Sequence, residues 1–65
     1  MVIKEYGQSD APYPIGDLQM FPIAGGPGRL IAERVAYAMW AGQRHVVYER
    51  YLRSLEPEIH LERVR

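Results

Sequence analysis

The sequence predicts a mainly α fold: one long central helix over residues 28–55, an extended Pro- and Gly-rich amino-terminal arm and a short extended carboxy-terminal tail. Three observations carry that expectation. The run from Gly28 to Leu55 draws most of its positions from Leu, Ala, Arg, Glu and Met, all good helix formers. No Pro interrupts it until Pro57, which ends a helix at or before Glu56. Pro27 suits the first helical position, where its missing N–H costs nothing, and Gly26 is an adequate cap. The chain then reads as one small unit, with an arm at 1–27, a helix at 28–56 and a tail at 57–65.

Within the arm, Val2 to Tyr6 alternates imperfectly and fits either a short edge strand or a plain extended segment. Gly7 to Asp17 reads as loop, because Gly7, Ser9, Asp10, Pro12, Pro14 and Gly16 recur too densely for a regular element. Ala11-Pro12-Tyr13-Pro14 favours a polyproline-like path that holds Tyr13 ready to enter a pocket. Leu18 to Ile23 is apolar, too short for a helix and interrupted by Pro22. It must be covered, either by Ile31 and Val35 of the same chain or by a neighbour. Gly25-Gly26-Pro27-Gly28 reads as a hinge; it lacks the Gly-Lys-Ser/Thr ending of a phosphate loop, and Pro27 removes an N–H.

Around a helix at 100° per residue, Ile31, Val35, Ala38, Met39 and Val46 share one side, while Tyr48, Leu52 and Leu55 lie nearly opposite with Tyr51 beside them. The stripe changes face near Gly42-Gln43-Arg44-His45. A continuous or gently kinked rod is preferred over a break at Gly42, since those residues make a meagre turn and Gly inside a helix costs only about 1 kcal/mol. Fully helical, the rod would be about 42 Å long, more than 65 residues can cover. Glu58 to Arg65 alternates, with Ile59 and Leu61 on one side and Glu58, His60 and Glu62 on the other, a strand pattern able to cross the helix or join a partner's sheet edge.

So short a chain buries only about 60% of its unfolded surface, and without Cys it has neither disulfide nor thiolate metal site as a staple. Association is the remaining route to stability. Eight basic and eight acidic residues give a formal net charge of zero, which argues against a nucleic-acid binder or a polybasic membrane anchor and favours packing with partners. Seven of the eight basic residues are Arg, which suits interface pairing as well as a GC-rich genome. Lys4 and Glu5 interrupt the amino terminus, so no signal peptide is expected. The longest uncharged interval of the run, Val35 to Gln43, is too short for a membrane span. The cytoplasm, or a particle assembled there, is the expected location.

Chemistry is sparse. His45 and Glu49 are spaced to share a helix face but lack a third metal ligand, and a surface pair is the plainer reading. Ser9 and Ser54 are the only serines and no nucleophile, base and orienter can be assembled. No catalysis, cofactor or metal is expected. Trp, Tyr and Arg dominate binding hot spots, which singles out Tyr13, Phe21, Arg29, Trp40, Tyr48 and Leu52 as partner contacts. The function that fits is a non-catalytic structural or accessory subunit, for instance of a virion or an enzyme assembly. It would bind protein subunits of a larger complex, or itself, through helix and arm. A soluble helical regulator or inhibitor of one protein target is the alternative.

Overall fold

The structure, a computed structural model, describes residues 1–53 and 55–64. Among them there is no helix. Five strands, β1 (Val2–Glu5), β2 (Gly16–Met20), β3 (Arg29–Ala41), β4 (His45–Arg53) and β5 (Glu56–Arg63), form one antiparallel sheet in chain order, each paired with the next. The mainly α expectation, with its helix over 28–55, is therefore overturned. That segment is β3, a hairpin turn and β4. Pro27 and Gly26 lie in the β2–β3 loop and cap no helix. Ser54, placed in the helix, and Arg65, placed in the tail, lie outside the described residues.

The supposed joint at Gly42 is the turn of the β3–β4 hairpin. Ala41 pairs with His45, and Gly42 adopts φ 77°, a left-handed conformation glycine enters without steric cost. From there the register runs Trp40 with Val46, Met39 with Val47 and Ala38 with Tyr48. The β-branched and aromatic content of His45–Arg53 suits a pleated surface. β5 continues the hairpin pattern, with Val47 opposite Leu61 and Glu49 opposite Ile59, so the tail pairs with β4 and crosses no helix.

β3 is irregular along most of its length. Between its pairings with β2 and β4 the register slips three times, and each slip places an extra residue in β3. Such bulges bend a strand and strengthen its twist. The bend is centred on Arg34, which has φ 60°, an unusual conformation for a residue with a side chain. Its backbone N–H donates to the Tyr6 hydroxyl at 3.2 Å, its Nε donates to the Tyr51 carbonyl, and its guanidinium is 2.6 Å from Asp10 Oδ1. The Tyr6 hydroxyl in turn donates to Asp17 at 2.6 Å. One side chain thus ties the bend to β4 and to the loop after β1.

The bend curls the sheet so that β2 and β4 share one core. Leu18 of β2 and Val46 and Tyr48 of β4, on strands that do not pair, join Ala32 and Val35 in one buried cluster, with Ile3, Met20, Ile31, Ala38 and Val64 against it. Burying each large member contributes about 1.5–3 kcal/mol. Leu18 is therefore covered by its own chain. Gly16 permits the β1–β2 approach, since a Cβ there would sit inside the Lys4 carbonyl. The molecule measures 35 × 23 × 12 Å, and its shortest dimension is little more than the ~10 Å between two stacked sheets. On the outer side of β3, β4 and β5, Tyr13 of the arm packs on Tyr51, while Tyr37, Met39, Ile59 and Leu61 stay exposed.

Candidate partner-binding surface

The pairing register assigns alternate residues of β3, β4 and β5 to opposite faces. Val46 and Tyr48 point into the curl; Tyr48 is 4% exposed, stacks on His60 with ring centroids 5.3 Å apart and donates its hydroxyl to Glu62 at 3.2 Å. Their neighbours on each strand point outward and form three cross-strand rows. The first is Ala41, His45 and Arg63, the second Met39, Val47 and Leu61, the third Tyr37, Glu49 and Ile59. Tyr37 is 60% exposed, Met39 48%, Ile59 67% and Leu61 66%. At the third row and beyond it the arm covers this face, where Tyr13 packs on Tyr51 with centroids 6.2 Å apart.

Around that contact, Tyr13 and Pro14 of the arm meet Tyr37 and Glu49 in an open cleft of about 500 Å³. A second cleft, of about 490 Å³, lies under the β2–β3 loop and is lined by Phe21, Ile23, Arg29, Trp40, Gln43 and Val64. Gly28 lets the Phe21 ring lie against the loop backbone, where a Cβ would collide with it.

The six residues singled out as contacts therefore separate. Phe21, Arg29 and Trp40 come together in the loop cleft, all exposed. Tyr13 stands in the other cleft. Leu52 is exposed, the extra residue where the β4–β5 register slips. Tyr48 is in the core. Arg29 begins β3. The outward rows escaped the sequence reading as a group, although the alternation of Ile59 and Leu61 was legible and His45-Val46-Val47-Tyr48-Glu49 carries the same signal.

Titration follows burial and neighbours. Desolvation raises the hydroxyl pKa of Tyr6, Tyr48 and Tyr51 above 10.0, and Asp17, Glu62 and Glu49 beside them push the same way. The hydrogen bond from Arg34 holds Asp10 below its usual 3.8. His45 and Glu49, expected to face each other one helical turn apart, are instead four residues apart along a strand, about 13 Å. Among the described residues no group of three or more His, Asp or Glu could hold a metal ion. The Ser9 hydroxyl accepts the Ala11 N–H across its own loop, and His60 lies 2.8 Å from Glu58 on the same strand. What the surface offers is apolar contact area with charge at its ends. Comparison with protein-family models, curated proteins and solved structures gives no match to this chain.

Proposed function

We propose that this protein is a non-catalytic structural or accessory subunit that binds other protein subunits of a larger assembly. It would do so through the outward face of β3, β4 and β5, with the loop cleft around Trp40 as a second contact. The observation that carries the reading is the middle of that face, where Tyr37, Met39, Ile59 and Leu61 are about half to two-thirds exposed on regular, paired strands. Contiguous apolar surface of this kind is what a binding partner removes from water. Strands present it rigidly, so little ordering cost is added on binding. The clefts are open and their polar groups do not converge on a common point, which suits a protein surface better than a small substrate.

The test is site-specific photo-cross-linking in the cells that make the protein. A photoreactive residue in place of Leu61 is expected to yield discrete higher-mass adducts, while one in place of Lys4, on the far edge strand, yields none. Absence of adducts from Leu61 contradicts the reading.

A further inference from the structure

We infer that the partner of this outward face is a second copy of the same chain, packed sheet on sheet about a two-fold axis that runs across the strands over the Met39, Val47 and Leu61 row. The inference rests on the subunit reading above and names its partner. Three features of the face select this arrangement.

Charge selects the axis. The rows carry Arg63 and His45 at one end and Glu49 at the other, with the apolar row between them. A two-fold along the strands would set Glu49 over Glu49. A two-fold across the strands reverses each strand over itself, so Glu49 of one copy lies over His45 of the other, and Arg63 lies over Ile59 on the adjacent strand, beside that carboxylate; both pairings occur twice in the dimer. Charge matching of this kind fixes register and excludes the alternative, in which like charges face each other.

Shape agrees with charge. The same axis places Tyr37 over Ala41, large against small, and Met39, Val47 and Leu61 each over its own counterpart. A self-complementary patch is what a closed dimer requires.

The alternative route to a dimer, pairing edge to edge, is blunted. β1 has four residues, and the β5 edge carries Pro57 among Glu56, Glu58, Glu62 and Arg63, features that discourage strand addition. Zero net charge removes long-range repulsion between copies.

The experiment is the solution mass of the purified chain by light scattering over a concentration series. The wild type is expected to approach twice the mass of one chain. Glu49→Arg should weaken the dimer about tenfold or more through like charges; Arg63→Glu, at an exposed strand end, should weaken it too. The two together should regain much of the loss. Circular dichroism identifies a variant that has unfolded, and the other reversal then stands as the test. A monomer throughout the series, or a dimer indifferent to both reversals, overturns the inference. A monomer that still cross-links from Leu61 to a different protein overturns self-pairing and leaves the subunit reading intact. Neither dimer nor cross-link overturns both.

Discussion

Val46 and Val47 are adjacent on β4, share chemistry and lie opposite residues of the same two neighbouring strands, yet they belong to different worlds. Val46 is fully buried with Leu18, Val35 and Tyr48 inside the curl; Val47 lies on the opposite side, among Met39, Leu61 and the exposed ring of Tyr37. The inner face is finished by the chain itself, because β3 bends far enough to bring β2 over β4. Among the described residues, the outer face receives the arm, at Tyr51. A sheet of this size can close over one of its faces and not both, so the unfinished side is where a second molecule can contribute.

Removing the inner side should have the largest effect. Leu18→Ala should cost about 2–5 kcal/mol, enough to unfold much of so small a domain, as read by urea titration. Leu61→Ala on the outer side should change the stability of the monomer by no more than about 0.5 kcal/mol. Gly16→Ala comes next: the added methyl meets the Lys4 carbonyl, and separating β1 from β2 should cost about 1–3 kcal/mol.

The bend that creates the two sides can be probed at Arg34. Arg34→Ala loses the contacts to Asp10 and Tyr51 but keeps the left-handed backbone, whereas Arg34→Gly loses the same contacts and relaxes it. The glycine variant should therefore be the more stable of the two by about 1 kcal/mol, a difference measurable by thermal melting. Equal stabilities would mean that the backbone at the bend is not strained.

The smallest effects are those of pH. The folded pKa values of Tyr6, Tyr48 and Tyr51 are raised, so what these hydroxyls contribute is complete below pH 10.0 and is lost as pH climbs through the folded values. The Asp10 value is lowered, so its contribution is complete above 3.8 and is lost as pH falls through the folded value. Asp10→Asn should abolish only the acid limb of a stability–pH profile. Because Asp10 is exposed, that limb should be shallow.

Why a strand resembled a helix can be followed residue by residue. Ile31, Val35 and Ala38 are spaced by four and three, the signature of a helical stripe, and they do share one environment, all packed in the same core. Residues four apart share a side of any regular strand; what carries Ala32, Val35 and Ala38, each three apart, to one side is the bulge between each pair, which inserts a residue and shifts the alternation by one. Without register information such a strand imitates a helix of the same residues. Where no bulge intervenes, as in Glu58 to Glu62, the alternation is plain in the sequence and matches β5. Helix propensity of Ala, Leu and Arg was overridden by pairing, which the sequence of one strand does not display. The same gap hid the site. Phe21, Arg29 and Trp40 were recognisable as contact-forming types, but their convergence depends on the β2–β3 loop folding over the end of β3, and the outward rows exist only through registers between three strands.

The most direct test of two unlike faces uses the adjacent valines, with the urea midpoint measured at a concentration low enough to keep the chain monomeric. Val46→Asp should leave no folded baseline, since it buries an unpaired charge in the core. Val47→Asp should leave the midpoint close to that of the wild type. If the two substitutions destabilise the monomer equally, the faces are equivalent and the division of the sheet into a core side and a docking side is wrong.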